Sequence, residues 1–132
     1  MKPAKILVVD DEPDVCSLLR LVLTERGYEV VTVDSGKECL VKAQSDGPDL
    51  ILLDIMMPEM DGWETLKLLK LDGETQDIPV VIVTARAEPR DKIRGLQEGA
   101  VDYVTKPFGA RDVLDRVEAI LGSDRAAEQT GP

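Results

Sequence analysis

The sequence of 132 residues predicts one α/β domain in which helices cover both faces of a parallel sheet. Five short runs are apolar or β-branched on both faces, as strands buried between two helical layers are. Amphipathic segments separate these runs, and right-handed crossovers join such alternating elements into a single parallel sheet. We therefore expect a doubly wound domain of five β-α units.

The predicted strands lie at residues 6–9, 30–33, 50–53, 80–83 and 103–104. Apolar residues at helical spacing predict a first helix from Val15 to Leu23 and a last helix from Val113 to Leu121. The remaining helix, around residues 90–98, has only Ile93 and Leu96 as apolar anchors. We expect these two side chains to face the core and this helix to be the least firmly packed.

Capping signals place the ends of the helices. Ser35 and Asp61 each stand three residues before a Glu, which is the spacing of a capping box, and Pro13 suits a first helical turn. Four glycines follow periodic segments where a left-handed C-cap is expected, namely Gly27, Gly73, Gly99 and Gly122. We expect a folded domain over residues 1–122 and a flexible tail or linker stub over residues 123–132.

Charge and composition exclude several function classes. The 16 basic residues against 26 acidic ones give a net charge of −10, which opposes direct nucleic-acid binding by this chain. The chain has no histidine, so Ser-His-Asp triads, imidazole acid–base catalysis and a phosphohistidine on this chain are excluded. The remaining chemistry must use carboxylates, hydroxyls or lysine.

The cysteines and the N-terminus indicate the compartment. Cys16 and Cys39 lack metal-binding or disulfide-framework spacing, and free thiols suit a reducing cytoplasm. The apolar run near the N-terminus is too short for a signal sequence or a membrane span. We expect a cytoplasmic protein without membrane attachment.

Chemistry-bearing residues follow four of the predicted strands. Asp10 and Asp11 follow the first strand, Asp54 the third, Thr84 the fourth and Lys106 the fifth. Each alone has an ordinary structural interpretation, as a turn, cap, strand or surface residue. Together they should meet at the carboxyl edge of the sheet, where doubly wound folds bind ligands.

Three carboxylates at one edge repel one another and therefore favour a bound cation. Oxygen ligands at this density suit Mg²⁺, which takes one or two carboxylates together with a phosphate oxygen. A buried carboxylate can also act as a nucleophile through an aspartyl phosphate. Lys106 and Thr84 would then contact phosphoryl oxygens, so the residues suggest Mg²⁺-dependent phosphorylation of an aspartate.

Four sequence motifs resemble those of one family. ILVVDDE, LLDIMMPEMDGWE, VIVTA and DYVTKPF occur in the order and spacing of the receiver domains of two-component response regulators, over about residues 4–121. The resemblance implies a flavodoxin-like three-layer sandwich with strand order 2-1-3-4-5. The residues alone permit this order but do not determine it.

The resemblance also implies a role for each site residue. Asp54 would accept a phosphoryl group from a sensor histidine kinase, a histidine phosphotransfer protein or a small acyl phosphate. Asp11, Asp54 and the backbone carbonyl of Met56 would bind Mg²⁺ directly, and Asp10 would bind it through water. Lys106 would pair with Asp54 and then with the phosphoryl group.

The same resemblance implies a switch. Thr84 would turn toward the phosphoryl group, and Tyr103 would rotate inward from outside; the alternative for Tyr103 is a half-buried ring with its hydroxyl in water. Met56 and Arg86 would tune the phosphoryl lifetime, and the peptide bond before Pro107 would be cis.

The conformational change at Thr84 and Tyr103 would then reach the face formed by the fourth helix, the fifth strand and the fifth helix. We expect that face to bind a second copy of the chain or an output protein. Such a chain is a signalling switch rather than an enzyme, and it catalyses only its own phosphorylation and dephosphorylation.

Three alternatives stay open at this point. A phosphatase of the haloacid-dehalogenase type also forms an aspartyl phosphate, but it requires a second acid two residues after the nucleophile, where this chain has Met56. A flavodoxin-like electron carrier requires a hydroxyl- or glycine-rich phosphate loop, which residues 9–14 do not supply. A receiver that only docks, without being phosphorylated, is the third.

Overall fold

The computed structural model describes residues 2–129, with side chains described through residue 122. Five strands and five helices alternate along the chain, and all the strands pair in parallel in the order β2-β1-β3-β4-β5. In chain order the elements are β1 Lys5–Val9, α1 Pro13–Glu25, β2 Glu29–Val33, α2 Gly36–Asp46, β3 Leu50–Leu53, α3 Gly62–Leu71, β4 Val80–Thr84, α4 Pro89–Gln97, β5 Asp102–Thr105 and α5 Ala110–Gln129. The predicted doubly wound fold and its strand order are confirmed.

Each face of the sheet carries its own apolar core, because successive strand residues point to opposite sides. Ile6 and Val8 face the cluster that contains Leu19 and Leu23 of α1 together with residues of α5. Leu7 and Val9 face the second cluster, which includes residues of α2 and α3. Strands buried on both faces explain the apolar runs in the sequence.

The helix ends follow the predicted signals only in part. Ser35 and Asp61 accept hydrogen bonds from the backbone N–H groups of Glu38 and Glu64, and Pro13 begins α1. Gly27 and Gly99 have positive φ values of 91° and 111°, as predicted. Gly47, with φ 55°, ends α2 and was missed.

The predictions for the other two glycines were wrong. Helix α3 ends in an extended Asp72, whose side chain accepts a hydrogen bond from the backbone N–H of Glu74, so Gly73 is not needed as a left-handed cap. Helix α5 continues through Gly122 to Gln129, so Gly122 is not a C-cap. The flexible tail or linker stub over residues 123–132 stays a prediction. Residues 123–129 contain good helix formers and no proline, so one glycine does not end the helix. Residues 130–132 lie outside the described part of the chain.

Helix α4 differs from its sequence-based prediction. Ile93 and Leu96, the expected anchors, are 55% and 53% exposed, whereas Asp91 and Gly95 are buried. The prediction of core-facing Ile93 and Leu96 was therefore wrong. The expectation that α4 packs thinly agrees with the structure, because none of its aliphatic side chains is buried.

Two observations bear on the compartment predictions. Cys16 and Cys39 are both free thiols, as expected. Over residues 2–129, no helix combines the length and the hydropathy that a membrane span requires.

Candidate functional site at the carboxyl edge of the sheet

Lys106 lies at the centre of a carboxylate cluster at the carboxyl edge of the sheet. Its ammonium nitrogen is 2.7 Å from Asp10 Oδ2, 2.9 Å from Asp54 Oδ2 and 3.1 Å from Glu12 Oε1. Asp10 and Asp54 are each only 3% exposed, whereas most of the Glu12 side chain is in solvent. The three donor hydrogens of the ammonium thus have one carboxylate each.

The ends of the strands hold these side chains in place. The backbone N–H groups of Asp10 and Asp54 donate to Val33 and Val9, so the sheet hydrogen bonding continues into the site. Asp54 Oδ1 accepts a hydrogen bond of 2.8 Å from the N–H of Met56, which fixes the orientation of the carboxylate. The peptide bond between Lys106 and Pro107 is cis, as predicted.

Burial and charge act in opposite directions within the cluster. Burial raises the pKa of Asp10 above its ordinary value, although the hydrogen bond from Lys106 opposes the rise. Burial alone would lower the pKa of Lys106, but its hydrogen bonds to Asp10 and Asp54 outweigh that effect and raise it. Lys106 is therefore a permanent cation at neutral pH.

The carboxylates also form a cluster that could hold a metal ion. Oxygen atoms of Asp10, Glu12 and Asp54 lie within 4.8 Å of one another. Three carboxylates against the one ammonium of Lys106 leave two negative charges uncompensated, which fits a divalent cation with oxygen ligands. The donor set is thus suitable for Mg²⁺.

The composition of this cluster differs from the prediction at one position. Asp11, expected as a direct metal ligand, is exposed and lies outside the group, whereas Glu12 lies inside it. Lys106 attracts Asp10 and Glu12, which Asp11 separates in sequence, and the Glu12 N–H donates to Asp10 Oδ1. Glu12 was missed although it directly follows the acidic pair. Direct metal ligation by Asp11 and by the Met56 carbonyl stays a prediction.

Gly62 brings the start of α3 against the Asp54 segment. A Cβ atom at this position would lie 2.2 Å from Ile55 Cα and 2.5 Å from the Asp54 carbonyl oxygen. The Gly62 N–H also donates to the Ile55 carbonyl at 3.1 Å. Only glycine permits this approach, so Gly62 is a supporting residue of the site that the capping pattern did not reveal.

The predicted switch residues meet at Arg86. Thr84 is fully buried, and its hydroxyl accepts a long hydrogen bond of 3.5 Å from the N–H of Arg86. Tyr103 is 6% exposed and donates its hydroxyl to the Arg86 carbonyl at 2.8 Å. The ring therefore lies inward in this structure, and the rotation of Tyr103 between this position and one with its hydroxyl in water stays a prediction. Burial raises the pKa of Tyr103 to about 12.

Comparison with known proteins decides the family. The sequence matches the family model described as "Response regulator receiver domain" over residues 6–118. The chain belongs to the response regulator receiver domains. This receiver domain thus combines the parallel sheet, the acidic cluster and a lysine followed by a cis-proline. It is a signalling module of the two-component type.

Among curated relatives, the receiver is similar to the alkaline phosphatase synthesis transcriptional regulatory protein PhoP of Bacillus subtilis, with 48% identity over 89% of this chain and 48% of the relative. It is 40% identical to the phosphate regulon transcriptional regulatory protein PhoB of Escherichia coli, over 89% of this chain and 51% of that protein. The chain spans about half the length of these relatives.

Solved structures agree with the fold. A putative response regulator from Chloroflexus aurantiacus superposes with a TM-score of 0.86 and 36% identity, over 92% of this chain and 99% of that chain. The chemotaxis response regulator CheY4 of Vibrio cholerae gives 0.84 and 32% identity, over 89% of this chain and 98% of that one. Together, the relatives and the structures show a receiver of a phosphorylation-dependent signalling switch.

Proposed function

We propose that Asp54 accepts a phosphoryl group from the phosphohistidine of a sensor histidine kinase or a histidine phosphotransfer protein. The observation that carries this proposal is the position of the Asp54 carboxylate, 3% exposed and 2.9 Å from the ammonium of Lys106 at the carboxyl edge of a receiver fold. In the transfer, an Asp54 oxygen forms a bond to phosphorus as the bond between phosphorus and the histidine nitrogen breaks. No histidine lies within these 132 residues, so a phosphohistidine donor lies outside them, and a small acyl phosphate is the other possible donor.

The surrounding residues have separate tasks in this transfer. Lys106 orients Asp54 beforehand and then donates to a phosphoryl oxygen, so positive charge meets the transferring group without rearrangement of solvent. The hydroxyl of Thr84, at the end of β4, would donate to a second phosphoryl oxygen. Asp10 stays hydrogen-bonded to Lys106 and keeps its ammonium beside Asp54.

Asp54 would hold the Mg²⁺ of this reaction, with Asp10, Asp11 or Glu12 and the Met56 carbonyl as further candidate ligands. When bound, it would neutralise negative charge on the phosphoryl oxygens. The uncompensated charge of the carboxylate cluster and its oxygen-only composition support this choice over a softer metal.

Phosphorylation acts on the switch through Thr84. A phosphoryl group adds about −1.5 to −2 charges and three acceptor oxygens, which compete for the Thr84 hydroxyl. Because Tyr103 is already buried here, the proposed effect is a higher population of this inward arrangement rather than a new position. Met56 and Arg86 lie two residues after Asp54 and Thr84, where they influence the lifetime of the phosphoryl group.

The proposed output surface is the face formed by α4, β5 and α5. Ile93 and Leu96 lie three residues apart on α4, and they and Val101, which precedes β5, are each at least half exposed. Aliphatic side chains that share an exposed face are typical of an interaction surface. A second copy of the chain or an output protein would cover them, without direct nucleic-acid binding by this net-acidic chain. Size-exclusion chromatography with and without beryllofluoride, a mimic of the phosphoryl group, tests for the second copy. The cytoplasmic location expected from the sequence stays a prediction.

Intact mass spectrometry tests the phosphorylation itself. After incubation with acetyl phosphate and Mg²⁺, we expect one added phosphoryl group that is absent from Asp54→Asn and absent when the metal is chelated. No adduct on the wild-type chain, or the same adduct on Asp54→Asn, would contradict the proposal. The first result would favour a receiver that only docks, and sustained hydrolysis of a generic phosphate ester would favour a phosphatase.

A further inference from the structure

Arg86 connects the phosphorylation site to α4 through three different groups. Its backbone N–H donates to the Thr84 hydroxyl, its carbonyl accepts from the Tyr103 hydroxyl, and its guanidinium lies beside Asp91. The distance from Arg86 Nε to Asp91 Oδ2 is 3.5 Å. The Arg86 side chain thus forms an ion pair with the first turn of α4.

Asp91 is an unusual residue to find buried at this place. It is 6% exposed, whereas the other charged residues of α4 are in solvent. A buried carboxylate requires a cation or hydrogen bonds to offset its loss of hydration. Within the described residues, Arg86 is the cation paired with it. The N-terminal end of α4 adds a favourable dipole.

The ion pair with Asp91 determines the position of the Arg86 guanidinium. About half of this side chain is exposed to solvent. A guanidinium binds the oxygens of a phosphoryl group in a bidentate, charge-assisted arrangement. Because β3 and β4 are neighbours in the sheet, a phosphoryl group on Asp54 would offer a second anionic partner to the same guanidinium.

We propose that Asp91 is a positioning residue that holds the Arg86 guanidinium on α4 and so sets the lifetime of phosphorylated Asp54. This inference rests on the proposed function, because it requires a phosphoryl group on Asp54. Asp91, a buried residue of α4, would then affect the dephosphorylation of Asp54 at the end of β3. The position of α4 and the rate of this reaction would both depend on the ion pair between Arg86 and Asp91.

The reaction concerned is hydrolysis of the aspartyl phosphate. A water oxygen attacks phosphorus, the bond from phosphorus to the Asp54 oxygen breaks, and Asp54 leaves as a carboxylate. Both protons of the water end on the released inorganic phosphate. A guanidinium lying on the phosphoryl oxygens obstructs the approach of this water, so releasing Arg86 from Asp91 should slow the hydrolysis.

A double-mutant cycle tests this dependence. Wild type, Asp91→Asn, Arg86→Met and the double variant are loaded with acetyl phosphate and Mg²⁺, freed of donor, and followed by intact mass. We expect Asp91→Asn to lengthen the half-life about threefold or more when Arg86 is present and to leave it unchanged when combined with Arg86→Met. No change when Arg86 is present, or an equal change with and without Arg86→Met, would overturn the inference.

The loading step separates this inference from the proposed function. If wild type takes up no phosphoryl group, the proposed function fails before any lifetime is measured. If all four proteins are loaded but the effects of the two substitutions on the half-life are independent, only the role of Asp91 fails.

A measurement on the wild-type chain covers the case in which Asp91→Asn does not fold. The Arg86 Nε–H signal in a ¹⁵N NMR spectrum is assigned by its loss in Arg86→Met. We expect slow hydrogen exchange at this site, because Asp91 holds the guanidinium. Exchange as fast as that of a fully exposed arginine would show that Asp91 does not hold it.

Discussion

Helices α1 and α4 begin in the same way and are held in different ways. Each has proline in its first turn after an acidic N-cap residue, Glu12 or Glu88, whose side chain makes no capping hydrogen bond. Helix α1 then buries Leu19 and Leu23 almost completely. Helix α4 buries Asp91 and Gly95 and leaves its aliphatic side chains in solvent.

The difference shows which part of the receiver can respond to a local change. Apolar burial is non-directional and large, so α1 stays in place whatever hydrogen bonds form at the site. Helix α4 depends on the Arg86 pair, on the stacking of Arg94 at 4.0 Å from the Trp63 ring centre, and on the approach of Gly95 to Tyr103. Directional contacts of this kind break when one of their groups moves, and other contacts form in their place.

Truncation of one leucine in each helix gives the largest expected effect. Leu23→Ala removes a side chain with no exposed surface and should lower the free energy of unfolding by about 2–5 kcal/mol. Leu96→Ala removes a half-exposed side chain and should change it by less than about 0.5 kcal/mol. Urea unfolding of the two variants and the wild type measures both values. Similar losses in the two helices would contradict the comparison.

The same contrast explains what the sequence could predict. Helix α1 has five apolar residues at helical spacing, and four of them are buried or partly buried as this pattern predicts, whereas Leu18 is 42% exposed. Helix α4 has only two aliphatic residues, Ile93 and Leu96, which lie on one face of the helix. Asp91 and Gly95 lie on another face, and the sequence alone does not show which of the two faces is buried. The face that is buried depends on Tyr103 and Ile82 beneath Gly95, which are distant in sequence.

The site was predictable where strand ends determine it. Asp10, Asp54, Thr84 and Lys106 directly follow or end apolar strands, so parallel pairing brings them together. Glu12 was missed because its place in the carboxylate cluster depends on the direction of its side chain within the β1–α1 loop. The strand order came from the family resemblance, since alternating β and α elements fit more than one order.

Ionisation of Tyr103 should weaken the support of α4 at high pH. Burial raises its pKa from 10.0 to about 12, so the folded state binds the phenol proton more tightly than the unfolded state does. The resulting stability is complete below pH 10 and is lost as the pH rises toward 12. Urea unfolding of wild type and Tyr103→Phe across this range measures the loss, and other alkaline titrations cancel in the difference. A constant difference between the two proteins would contradict the prediction.

Hydrogen exchange should separate the two helices without any substitution. Central amides of α4 should exchange at least about tenfold faster than those of α1, because α4 opens without exposing buried aliphatic surface. Mass spectrometry of peptides covering each helix measures the rates. Loading with beryllofluoride and Mg²⁺ should slow α4 and leave α1 unchanged. Equal protection of the two helices in the unloaded protein would contradict the proposed difference in anchoring.

Gly95→Ala examines a close approach of α4 to the sheet. The added methyl group would lie 2.8 Å from Ile82 Cδ1 and 3.1 Å from Tyr103 Cδ2, so one of these side chains must move. The strain opposes the gain in helix propensity, and we expect a net loss of about 1 kcal/mol in urea unfolding. Ile82→Val removes the nearest methyl group. Combined with Gly95→Ala, it should therefore cost less than the sum of the two single losses, whereas strict additivity would show that Ile82 is not the obstacle.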